Sequence, residues 1–88
     1  MNDFDAQLTA ERSAYREKYL GKIVELTKSV AAGGGVELAA GTRGRVINVL
    51  VRGNINAADG IERDLRVEFP DRTQAKLKVD ILKIVDQR

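Results

Sequence analysis

Apolar positions keep two different periods along this chain, and the switch falls at Gly21. Before it, Phe4, Leu8, Tyr15 and Tyr19 lie within about 60° of one another at 100° per residue, the single stripe of an amphipathic helix. Residues 3–20 contain no proline or glycine and are rich in good helix formers, so the spacing predicts a helix there. Asn2 or Asp3 is the expected cap, with Thr9 as a second one and Gly21 as the stop. Glu11 and Arg12 flank a gap in the middle of the seam.

After Gly21 the period drops to two. "KIVELTKSV" (22–30) puts Val24, Leu26 and Val30 on one face, with Glu25, Thr27 and Ser29 opposite. "AAGGG" (31–35) reads as a flexible break, and "VELAAG" (36–41) as a short extended piece ending in a turn. "RVINVLV" (45–51) is too β-branched for anything but a strand. Residues 53–64 read as a polar loop with turn dipeptides at both ends. "LRVEF" (65–69) alternates, with Leu65, Val67 and Phe69 inward, and Pro70-Asp71 ends it. "AKLKV" (75–79) points Lys76 and Lys78 outward, and "DILKIV" (80–85) is a tight turn followed by a last strand.

One helix followed by about five short strands is best satisfied, at this size, by a small closed or nearly closed barrel, because closure removes most edges. The expected fold is therefore mainly β. Residues 1–21 form an N-terminal amphipathic helix and residues 22–88 a five-stranded barrel, within one compact domain.

Composition narrows the chemistry. There is no cysteine and no histidine, which removes disulfides, thiolate metal sites and the usual zinc, copper and haem ligands. No metal or cofactor is expected. Familiar nucleophile–base pairs are absent as well, so no catalytic residue is assigned and no small-molecule substrate is expected. The N-terminus is charged from its third residue, and no apolar run approaches the roughly 20 residues of a membrane span. A cytoplasmic protein without a membrane partner is the expectation. Fifteen Lys and Arg against thirteen Asp and Glu give +2, a mildly basic surface.

The stretch "AAGTRGRVINVLVRGN" (39–54) tests for a phosphate loop and fails. Gly41 and Gly44 are three apart, neither precedes Lys-Ser or Lys-Thr, and a strand follows where a P-loop needs a helix. The G-x-G-x-x-G pattern fails too, since Leu38 stands where the third glycine belongs after Gly33 and Gly35. The glycine pair instead predicts a turn and bulge that re-aim the chain into strand 45–51. "NINAADG" is no calcium loop, because Ile55 and Ala57 stand at ligand positions.

In its order, "KIVELTKSV … ELAAGTRGRVINV … LRVEFPD … VDILKIV" resembles the SH3-like small barrels of bacterial proteins. Glu68-Phe69-Pro70-Asp71 and Asp80-Ile81-Leu82 are the nearest matches, and the resemblance covers residues 22–85. It implies a barrel that hosts unrelated jobs, among them docking subunits of larger enzymes and nucleic-acid-binding KOW modules. Capture of proline-rich peptides is not expected, because four aromatic residues cannot supply both a core and an aromatic groove.

Two functions follow as expectations. The first is a non-enzymatic protein-binding module, acting as a docking, regulatory or inhibitory subunit on another protein or a second copy of itself. It would use Phe4, Leu8, Tyr15 and Tyr19 of the seam and Gly53, Asn54, Asn56, Asp59 and Arg63 of the loop. The alternative is a KOW-like barrel that binds nucleic acid through Arg43, Arg45, Arg52, Arg66, Lys76 and Lys78 on a basic strand face.

Overall fold

The computed structural model describes residues 3–33 and 35–85. Helix α1 runs Asp3–Tyr19, with Asp3 and Asp5 in its first turn and Arg16 and Lys18 in its last, each sign matched to the helix dipole. Asn2, one of the two expected caps, lies outside the described residues. Thr9 is not a cap, because its hydroxyl donates back to the Asp5 carbonyl at 3.0 Å within the helix.

Seven strands follow: β1 Ile23–Leu26, β2 Val30–Gly33, β3 Val36–Leu38, β4 Arg43–Gly53, β5 Ile61–Glu68, β6 Gln74–Lys78 and β7 Leu82–Ile84. A 3-10 turn, Val79–Ile81, leads into β7. Five strands form one antiparallel sheet in the order β6-β5-β4-β1-β7, and β2 and β3 form a separate hairpin. The chain is thus mainly β with one N-terminal helix, as its periodicities predict. Closure is not seen: among the described residues β6 and β7 are the two edges of the sheet, with no ladder between them.

The structure departs from the sequence reading in four places. The expected strand 22–30 breaks after Leu26, where the Thr27 amide and hydroxyl both donate to the Ile81 carbonyl, at 2.9 and 3.0 Å. Val30 then opens β2, and Val30–Ala31, within or beside the expected flexible break, pairs with Leu38 and Glu37. The bulge sits at Ile47, between the pairs Val46↔Val67 and Asn48↔Arg66, and not at the glycines. Gly41 does make the expected turn, at φ +91°, but Gly44 lies inside β4 opposite Val24. The loop 53–64 shrinks to Asn54–Gly60, since the β4–β5 ladder runs on through Leu50↔Asp64, Val51↔Arg63, Arg52↔Glu62 and Gly53↔Ile61. Charged side chains on an outer sheet face made a strand end read as a loop.

The core gathers inward positions of every sheet strand. Val24 and Leu26 of β1 meet Val46, Val49 and Val51 of β4, Ile61, Leu65 and Val67 of β5, Ala75 and Leu77 of β6, and Leu82 of β7. Phe69 and Leu38 complete it, and Tyr19 brings in the helix. Each large side chain so buried contributes roughly 1.5–3 kcal/mol.

Candidate functional site

Helix α1 lies over the core face of β4, and its seam faces the sheet. Tyr19 is buried, Tyr15 stacks on it with ring centroids 5.5 Å apart, and Leu8 and Tyr15 pack against the core as half-buried residues. The Phe4 ring lies over Gly53 and Gly60, so that a methyl built on Gly53 would stand 3.2 Å from it. Glu11 and Arg12, the charged gap in the seam, both reach across. Arg12 donates to the Val51 carbonyl at 3.0 Å, and Glu11 pairs with Arg63 at 3.3 Å.

Arg63 is a strand residue at a core-face position of β5 and ties three elements together. Its guanidinium reaches Asp59 of the loop at 2.8 Å, Glu11 of the helix, and the Tyr15 ring at 5.9 Å. Asp59 and then Glu11 raise its pKa. Arg63 in turn holds the Asp59 carboxyl below its ordinary range. Asn54 accepts from the Asn56 amide at 2.9 Å and Asp59 from the Ile61 amide at 3.1 Å, which braces the loop from within. The braced tip presents Ile55, 96% exposed, on the loop whose flanking Gly53 and Gly60 lie against the ring of Phe4, itself 41% exposed. The seam and loop residues proposed for protein binding are therefore brought together, and most of them are engaged with one another.

The outer face of the sheet sorts the basic residues. At one end Glu62 pairs with Arg52 at 2.9 Å and Lys78 at 3.0 Å, while Lys78 also reaches Asp64 at 2.9 Å. Asp64 is only 2% exposed, so Lys78 is the counter-ion of a buried carboxylate. At the other end Glu25 lies between Arg43 at 3.0 Å and Lys83 at 3.1 Å. Arg43, Arg52 and Lys78 thus already have acid partners. Arg45, Arg66 and Lys76 have none among the described residues. Arg66 and Lys76 stand directly opposite each other in the β5–β6 ladder, and Arg45 lies diagonal to Arg66 across Glu68.

The Arg52 guanidinium and then the Lys78 ammonium lower the Glu62 carboxyl from 4.5 to about 2. A carboxyl lowered on folding stabilises fully above its ordinary pKa, and that contribution is lost as pH falls through the folded value. Stability is therefore expected to decline between pH 4.5 and about 2. Glu25 and Asp59, also lowered, add to the decline. Urea midpoints measured at about pH 6 and about pH 3 should differ less in Glu62→Gln than in the unaltered chain.

Two residues in these places were missed in the sequence. Ile55 was hidden in a polar loop. Arg72 follows Pro70-Asp71 at a turn position that normally takes glycine, and that mismatch was the available signal. No group of three His, Cys, Asp or Glu able to hold a metal occurs among the described residues. No helix among them is long and apolar enough to cross a membrane. Comparison with family models, with curated proteins and with solved structures gives no match.

Proposed function

We propose that this chain is a non-enzymatic binding module on an SH3-like small barrel, and that the outer face of its sheet takes the phosphate backbone of a nucleic acid. The strand order supports the barrel reading, since the last strand returns to lie beside the first as in a rolled meander. One observation carries the function. Arg66 and Lys76 are register partners on neighbouring strands, and neither forms an ion pair with Asp64 or Glu68, the acids that flank Arg66 on this face, although every other cation of β4–β6 here except Arg45 has an acid partner. Like charges directly opposite each other destabilise a sheet, and a polyanion laid across them relieves the repulsion.

The test is an anisotropy titration of a labelled oligonucleotide over a salt series. Contacts from Arg45, Arg66 and Lys76 should make log K fall with log salt with a slope of about 2–3, at roughly 0.7–0.9 per phosphate neutralised. Arg66→Glu with Lys76→Glu should abolish binding, and Arg52→Ala should leave it nearly unchanged. No binding at low salt overturns the proposal.

A second reading keeps the docking-subunit expectation for the opposite end of the molecule. It is favoured by Ile55, held out on a self-braced loop next to the half-exposed ring of Phe4. With a second copy as partner, sedimentation should show a concentration-dependent dimer that Ile55→Ser abolishes; a monomer at every concentration rejects that partner.

A further inference from the structure

We infer that the nucleic-acid face ends in a discrete site for a phosphate monoester, either the terminal phosphate of a strand or that of a free nucleotide. The polymer form of this ligand rests on the reading above; the cleft itself does not. The cleft holds about 470 Å³, within the usual range for small-ligand sites, and lies where β1, β4 and the turn after β5 meet. Arg43, Arg45 and Arg72 line it together with Glu68, and Ile23 and Pro70 add an apolar rim. Planar guanidinium forks match phosphate oxygens.

Arg72 is the reason to read this as a built site. The turn Pro70–Arg72 is closed by the Phe69 amide on Thr73 and the Arg72 amide on Phe69, both 2.8 Å, and by the Thr73 amide on the Asp71 carboxylate at 3.0 Å. That pattern places its third residue in the left-handed region, where glycine is the ordinary choice. Arg72 sits there at φ +70°. Among the described residues every other positive φ belongs to a glycine: Gly21, Gly35, Gly41 and Gly60. The one exception spends backbone stability to place a guanidinium on the cleft.

The other two arginines fit the same use. Arg43 is steadied through its Nε by Glu25, and Arg45 and Arg72 have no acid partner among the described residues. Two unpaired guanidinium groups, Arg45 and Arg72, face one lining carboxylate, Glu68, which accepts a hydrogen bond from Gln74 at 3.4 Å, while Arg43 shares Glu25 with Lys83. The excess positive charge suits a monoester, which carries close to two negative charges at neutral pH, better than a singly charged diester.

The experiment compares two labelled oligonucleotides that differ only in a 5′-phosphate or 5′-hydroxyl, with adenosine monophosphate as competitor and as a direct calorimetric titrant. The phosphorylated end should bind about tenfold tighter, a gain of the size given by charge-assisted hydrogen bonds, and the nucleotide should compete that gain away. Arg72→Gly should erase the difference while raising the melting midpoint by a few degrees (about 2–5 °C), because glycine relieves the turn. A variant that is more stable and yet blind to the phosphate cannot be dismissed as misfolded. Arg66→Glu should weaken both oligonucleotides by the same factor. If neither oligonucleotide binds but the nucleotide gives heat that Arg72→Gly removes, the cleft stands and the polymer reading fails. Equal affinity for both ends without heat from the nucleotide, or a difference that survives Arg72→Gly, overturns the site.

Discussion

Gly44→Ala is expected to destabilise the fold by about 3 kcal/mol or more, lowering the melting midpoint by roughly 12 °C or more for a domain of this size. A methyl built on Gly44 would stand 2.6 Å from Val67 Cγ1, 2.8 Å from the Glu68 carbonyl oxygen and 2.9 Å from Phe69 Cδ1. A side chain can rotate away from such a contact; the carbonyl cannot, because Glu68 is locked in the β4–β5 ladder opposite Arg45. The relief must come from parting the strands at the point where Phe69 enters the core. Gly41→Ala is the control: its methyl would meet nothing within 4 Å, so only the φ of +91° opposes it, about 1–2 kcal/mol. Thermal melts followed by circular dichroism compare the two. Equal losses would show that close packing is not what Gly44 provides. Because Gly44 also lines the cleft between Arg43 and Arg45, its role in packing and the placing of those guanidinium groups depend on the same backbone approach.

Much of this architecture was legible because burial enforces period. Leu65, Val67 and Phe69 alternate with Arg66 and Glu68, and the structure buries the first set and faces the second outward. The helix was legible from its stripe, and the packing of that stripe on the sheet accounts for its narrowness. Glu11 and Arg12, which interrupt it, bond to Arg63 and Val51 instead of meeting solvent. What stayed hidden depends on register. The extra residue at Ile47 shifts all later pairs of β4, and a one-residue slip exchanges the two faces of a strand. Only with that register fixed does Arg52 fall opposite Glu62, and only with the β5–β6 register does Lys78 fall opposite Asp64. The outward direction of Lys76 and Lys78 could be read from alternation. That one is free and the other serves a buried carboxylate could not. Arg63 was obscured in the same way, as a charge at a core-face position whose partners lie on the helix and in the loop.

Tyr19→Ala is expected to lose about 3 kcal/mol, the lower end for removing a large ring from a core. The side chain is 9% exposed, stacks on Tyr15, and carries the Lys18 ammonium 5.2 Å from its centroid. It is the one residue of α1 that is fully part of the core, so its loss leaves the helix held by Arg12 on Val51, Glu11 on Arg63 and the half-buried Leu8 and Tyr15. Those contacts are partly open to solvent and contribute less than the ring. Deleting the helix outright is expected to go further, because Arg63 then sits at a core-face position with only Asp59 as counter-ion and the far end of the β4–β5 ladder loses its cover. Chemical unfolding should therefore rank the full chain above Tyr19→Ala and that variant above the chain lacking residues 1–20. A truncated chain as stable as the full one would make the helix an appendage free for another partner. Well below its midpoint, Tyr19→Ala should still bind the oligonucleotide as the unaltered chain does, because α1 covers the core face while Arg45, Arg66 and Lys76 lie on the other. That separation divides the molecule into a face that holds it together and a face left free to bind.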